Sequence, residues 1–142
     1  MARRFEVKGK KSPHSTQGQW KVLLVNDDFM FLHAQTRLLK RHGFEVHPCA
    51  SYDEGKDLLE REGFDLVIVS QGSPQFEGRT LLAHASETLG KTPVLVVARQ
   101  ADVRCYLEAM DMGAADYLQE PLAASDIEIV KLRFLEPPRG TA

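Results

Sequence analysis

The 142-residue chain is sparing with the residues of specialised chemistry: two cysteines, one tryptophan and a formal net charge of -2. Cys49 and Cys105 lie far apart without metal-ligand spacing, so they are read as buried, reduced thiols rather than a disulfide framework. His14, His33, His42, His47 and His84 form neither an H-x-x-H nor an H-E-x-x-H arrangement, and no zinc site is legible. A glycine-rich phosphate loop is also missing. The longest apolar runs, Leu66–Val69 and Val94–Ala98, are strand-sized and too short to cross a membrane. Near-neutral charge argues against nucleic acid or a membrane surface as a partner of the whole chain. The basic start Ala2-Arg3-Arg4 has no apolar stretch behind it, so no signal peptide is read and the expected location is the cytoplasm.

What is present is the balance of a globular domain, 43% apolar and 27% charged. Residues 1–19 carry Arg3, Arg4, Lys8, Lys10 and Lys11 and almost nothing apolar. Such a segment cannot repay its ordering entropy by burial and reads as a flexible basic tail; docking on an acidic partner or nucleic acid is the alternative. Residues 20–135 show no shift in composition and read as one domain. Residues 136–142, with Pro137-Pro138, form a short C-terminal tail.

Within the domain the centre is Phe64-Asp65-Leu66-Val67-Ile68-Val69-Ser70, whose unbroken apolar run predicts a parallel strand buried on both faces. Before it, Trp20–Asn26 and Phe44–Ala50 read as strands, with Pro48 placing the second at a sheet edge. After it come strands at Pro93–Ala98 and Asp116–Glu120. Helices are predicted over residues 29–42, 52–62 and 79–89, from Asp102 to Gly113, and from a Ser125-Asp126-Ile127-Glu128 capping box onward. Phe31, Ala34 and Leu38 are assigned to one face of the first helix, beside Leu32, Thr36 and Leu39. Gly43, Gly63 and Gly113 are the expected helix stops. Strands alternating with helices imply an α/β fold with parallel pairing, right-handed crossovers and helices on both faces. Parallel strands deliver their ends to one rim, where ligands collect in such sheets. That rim holds Asn26, Asp27, Asp28, Ser70, Ala98, Arg99 and Glu120.

Taken in order, Leu24–Asp28, Asp65–Ser70, Ser73-Pro74, Glu77-Gly78, Pro93–Ala98 and Gly113–Pro121 resemble the receiver domains of two-component response regulators over about residues 20–135. The resemblance implies a flavodoxin-like, doubly wound sheet of order 2-1-3-4-5. It also implies an acidic pair and a phosphoaccepting aspartate holding magnesium, a hydroxyl residue ending strand four and a lysine ending strand five. Hard oxygen ligands and cations around a phosphoryl group are what that chemistry needs. This chain departs from the pattern: Asn26 stands for the first acid, Ser70 for the acceptor, Ala98 for the hydroxyl and Glu120 for the lysine. Only Asp27 and the aromatic Tyr117 match. A serine hydroxyl forms a stable ester, not an acyl phosphate, and Glu120 repels a phosphoryl dianion. The expectation is a degenerate pseudo-receiver with no enzymatic activity, no cofactor and no magnesium, Asp27 and Asp28 being weak metal candidates.

Each residue also has a plainer role. Asp27 and Asp28 can cap the first helix, Ser70 can be a small polar strand end or a modification site, and Tyr117 a packing residue or a switch. Arg99 is expected to replace the missing cation by pairing with Glu120 at the rim. On the last helix Ile127, Val130 and Phe134 form the stripe expected to cover the sheet, while Ile129, Leu132 and Leu135 point elsewhere. With Tyr106, Met110 and Tyr117 they make up the face of fourth helix, fifth strand and fifth helix that the resemblance implies for partners. A histidine kinase, an output protein or a second copy in a homodimer are the occupants considered. The leading function is a stand-alone signalling adaptor. A phosphoacceptor using Asp28, a small-ligand sensor on the rim and, last, a DNA-binding regulator are the alternatives.

Overall fold

The computed structural model describes residues 19–88 and 90–135. Strands and helices alternate as β1 (Trp20–Val25), α1 (Phe29–Arg41), β2 (Phe44–Cys49), α2 (Tyr52–Arg61), β3 (Leu66–Ser70), α3 (Arg79–Thr88), β4 (Val94–Ala98), α4 (Val103–Asp111), β5 (Asp116–Gln119) and α5 (Ala124–Val130). All strand pairings are parallel, in the order β2-β1-β3-β4-β5, as a flavodoxin-like doubly wound sheet requires. Pro48 lies on β2, an edge, where a missing N–H costs no ladder bond. The basic residues before Gln19 and the stretch 136–142 lie outside the described residues.

Side chains alternate across the central strands, and each set has its own core. Leu23, Val25, Val67, Val69, Val94 and Val96 pack with Leu59, Leu81, Leu82, Ala85, Cys105 and Ala109 of α2, α3 and α4. Val22, Leu24, Leu66, Ile68, Leu95 and Val97 pack with Leu32, Leu39, Ile127 and Val130 of α1 and α5. Burial on both faces explains why β3 and β4 read as unbroken apolar runs; each such side chain contributes about 1.5–3 kcal/mol. Cys49 and Cys105 are buried and unpaired, and burial pushes the Cys49 thiol up to about 11.

Helix caps follow the sequence in most places. Asp28, Ser51 and Asp102 each accept a backbone N–H in the first turn of the helix that follows. Gly43 and Gly113 end α1 and α4 with positive φ, whereas α2 ends on extended Glu62 and Gly63 has no such role. The last helix begins earlier than its Ser125 signal: Ala123 is the N-cap, and Asp126 accepts from the Ala123 N–H at 2.7 Å. On α1 the buried residues are Leu32, Gln35 and Leu39, and Ala34 is exposed. Gln35 takes a core position because its side chain closes a hydrogen-bond pair with the Leu122 backbone.

Beyond Val130 the helix widens into a π turn, Lys131–Leu135. An i→i+5 turn rotates each residue less about the axis than an α turn does. Leu135 is thereby carried back to pack beside Phe134 on the core, although its α-helical position would face away. Ile129 and Leu132 remain exposed, Leu132 by 66%.

Candidate functional site

The sheet register brings the strand ends to one rim. Ser70 stands opposite Val97, and Ala98 opposite Gln119. The ladder continues one residue past β1, β3 and β5, with Asn26 N–H on Cys49 O, Gln71 N–H on Val97 O and Glu120 N–H on Ala98 O. Asn26, Ser70, Gln71, Ala98 and Glu120 are therefore fixed by backbone bonds.

Asn26 is buried and works in two directions. Its Oδ1 accepts from Asp28 N–H at 2.9 Å, and its Nδ2 donates to Glu120 Oε2 at 3.2 Å. Among the described residues Glu120 Oε1 has no hydrogen-bond partner, and Glu120 is 9% exposed. Burial pushes the Glu120 carboxyl up; the Asn26 amide and Arg99 pull against that shift, while Asp28 and Asp27 add to it. Beneath it lies a cavity of about 10 Å³, lined by Leu24, Leu32, Gln35, Leu122 and Glu120 among others, which has room for a single water.

Arg99 does not pair with Glu120. Its guanidinium lies 2.7 Å from Asp28 Oδ2 and sits over the Phe31 ring, 5.4 Å from the centroid. The reason is depth: Glu120 turns inward to Asn26, whereas Arg99 stays at the outer edge where Asp28 also caps α1. At that exposure the pair contributes up to about 1 kcal/mol. Asp27 is exposed and takes no part in the cap.

Ser70 is buried at the end of β3, and its Oγ accepts from Gly72 N–H at 3.1 Å. Its carbonyl accepts from Tyr52 Oη at 3.0 Å, and burial holds the Tyr52 phenol up at about 12. The following loop folds tightly back. Gly78 N–H donates to Gln71 O, and a Cβ on Gly78 would lie 2.1 Å from Ser70 O, so only glycine fits. Glu77 accepts from both the N–H and the Oγ of Ser73 at 2.7 Å, which holds its carboxyl below the usual range. Phe76 anchors the loop from a left-handed backbone conformation with φ 60, its side chain wholly buried.

Tyr117 is half-buried, and both hydrogen-bonding capacities of its hydroxyl are used. It donates to Gln71 Oε1 and accepts from Asp102 N–H at 3.1 Å. Tyr106 meets its ring edge-on, with centroids 5.7 Å apart. Beyond it, α4 buries only Cys105 and Ala109 and turns Val103, Tyr106, Leu107 and Met110 outward. Those four recur at i, i+3, i+4 and i+7, an apolar stripe on the solvent side of a helix.

The sequence places Asn26, Asp28, Ser70, Arg99, Glu120 and Tyr117 at this end of the sheet, but not the bond from Tyr52, the network around Gln71 or the close approach of Gly78 to Ser70. Gln71 had a signal: a polar residue directly after a strand end, ahead of a glycine. Val103 and Leu107 share the exposed stripe with Tyr106 and Met110, the two residues of this helix expected on the partner face.

Comparison with known proteins accords with this geometry. The family model described as response regulator receiver domain matches residues 22–130. The two-component response regulator ARR11 of Arabidopsis thaliana is 30% identical over 112 residues, 78% of this chain and 21% of that protein. The response regulator protein FleR of Pseudomonas aeruginosa is 36% identical over 104 residues, 73% of this chain and 22% of that protein. Across the first curated relatives the chain spans between 21% and 46% of their length. Among solved structures, a CheY-like receiver domain protein from Methanospirillum hungatei JF-1 superposes with a TM-score of 0.75 at 26% identity, covering 82% of this chain and 94% of that one. A response regulator protein from Burkholderia pseudomallei, solved with a phosphorylated aspartic acid, calcium ion and citrate, gives 0.71 at 25% identity and covers 82% and 66%. In sheet order and in family match alike, the chain belongs to the response regulator receiver domains of two-component signal transduction.

Proposed function

We propose that this receiver acts in the cytoplasm as a pseudo-receiver, a non-enzymatic protein-protein adaptor that signals without aspartyl phosphorylation. The carrying observation is Ser70: a buried hydroxyl, already bound to Gly72 N–H, ends the strand where the family pattern has an acceptor carboxylate. The rim offers little to a hard dication. Asn26 spends its oxygen on Asp28 N–H, and Asp28 is engaged by the α1 cap and by Arg99. Asp27 remains as the solvent-facing carboxylate and Glu120 lies buried with one oxygen on Asn26, a thin donor set that holds magnesium weakly. The same engagement of Asp28 counts against its use as a shifted acceptor. The water-sized cavity under Glu120 counts against a small-ligand sensor at that position.

The surface that fits the adaptor role comprises the α4 stripe with Ile129 of α5 and Leu132 of the π turn, where a histidine kinase, an output protein or a second copy would dock. Incubation with a small phosphodonor and magnesium tests the first part of the reading. Intact-mass analysis is expected to find no added phosphoryl group; a hydroxylamine-labile adduct would overturn the proposal.

A further inference from the structure

Gln71 is 2% exposed, and both its backbone and its side-chain amide are hydrogen-bonded. Its N–H donates to Val97 O, its carbonyl accepts from Gly78 N–H, its Nε2 donates to Ser73 O at 3.1 Å, and its Oε1 accepts from Tyr117 Oη. Each bond leads to a different piece of the rim: the end of β4, the turn before α3, the β3-α3 loop itself and β5. Tyr117 extends the chain by accepting from Asp102 N–H, and Asp102 is the N-cap whose Oδ1 holds Cys105 N–H in the first turn of α4. An unbroken polar path thus runs from the end of β3 to the helix that displays Val103, Tyr106, Leu107 and Met110. Ala98, ending β4, has a methyl group and offers the Tyr117 hydroxyl nothing. The acceptor that keeps the ring in place comes from Gln71.

We infer that Gln71 is a positioning residue: it latches Tyr117 against the start of α4 and so holds the apolar stripe of that helix in one orientation, with no ligand at the rim. The inference rests on the reading of that stripe as the partner face, and it supplies the regulation of that face. A buried amide engaged through both its nitrogen and its oxygen is worth more as a network than bond by bond, because losing one partner strands the others. Gln71 carries no titratable group, and burial pushes the Tyr117 phenol up. The orientation of α4 is therefore set by the sequence at residue 71 rather than by a charge arriving at the strand ends.

Native-state amide hydrogen exchange on the full chain, alone in solution, tests this. Gln71→Met keeps the bulk and removes both polar groups; Tyr117→Phe keeps the ring and removes the hydroxyl. Each is expected to speed exchange at the Asp102 amide about three- to tenfold, the range of one net hydrogen bond, with Val67 and Ile68 of β3 unchanged. The double variant is expected to exchange no faster than the faster single one, since both break the same latch. A general loosening would instead move the β3 amides as well. Unchanged Asp102 exchange in Gln71→Met, or effects that multiply in the double variant, would overturn the inference. No partner is present in the experiment, so its failure removes the latch and leaves the partner face to be judged separately.

Discussion

Glu120 shows how one side chain can carry a pH dependence. It is an acid in a buried position, with one oxygen on Asn26 and the other without a hydrogen bond. Its folded-state carboxyl is raised, chiefly by burial, above the 4.5 of an ordinary glutamate. The folded protein therefore holds this proton more tightly than the unfolded chain does, and stability falls as pH rises through the interval between the two values. Below 4.5 the penalty is absent; above the raised value it is complete. Glu120→Gln is expected to gain about 1 kcal/mol at neutral pH, and the gain is expected to vanish near pH 4, as read by urea denaturation at both values. Equal gains at the two pH values would point to shape rather than charge. Sequence alone placed Glu120 at the rim but paired it with Arg99. Depth below the surface decided the partner, and depth is not written in the order of residues along a strand.

Among the elements, the β3-α3 loop is the one whose conformation the rim depends on. It is short on apolar residues, yet Phe76 is buried in it and Gly78 passes within contact of the Ser70 carbonyl. Because the neighbouring atom is backbone, it cannot rotate away from an added methyl. Gly78→Ala is expected to cost about 2–3 kcal/mol, measured by urea denaturation, and to shift the amide resonances of Ser70 and Gln71 before those of β2. Gly72, Pro74 and Gly78 forbid regular structure along this stretch, but nothing in the sequence shows how tightly it is held. The helices were legible from their periodicity and caps, and they failed where polar residues took apolar places. Gln35 occupies the buried stripe of α1 because Leu122 needs its amide, and Asp126 rather than Ser125 fixes the start of α5. The π turn that re-aims Leu135 leaves no mark in the sequence, since i→i+5 bonding is chosen by packing.

At the scale of the whole molecule, the order of strands and the two-sided core were legible because unbroken apolar strands between amphipathic helices admit few arrangements. What a single chain leaves uncovered was harder to see. Leu107 is 58% exposed and Leu132 66%, and neither supports the core of its own molecule. Leu107→Lys and Leu132→Lys are expected to leave stability within about 0.5 kcal/mol, as surface changes do, while lowering any self-association seen by sedimentation at high concentration. A substitution that lowers stability by several times that amount would place its side chain in the fold and not on a contact surface.

The aromatic residues are distributed unevenly along the axis of the sheet. Trp20, the one tryptophan, begins β1 beside Phe134 and Leu135, at the pole where the strands start. All three tyrosines gather at the other pole: Tyr52 on the Ser70 carbonyl, Tyr117 on Gln71, and Tyr106 edge-on to Tyr117. The unlabelled protein thus has two separate optical reporters. Fluorescence excited at the red edge of the indole band follows the base of the sheet and the closing turn of the last helix. The near-ultraviolet dichroism of the three phenols adds the rim, so that a change in dichroism without a change in indole fluorescence reports an event at the strand ends.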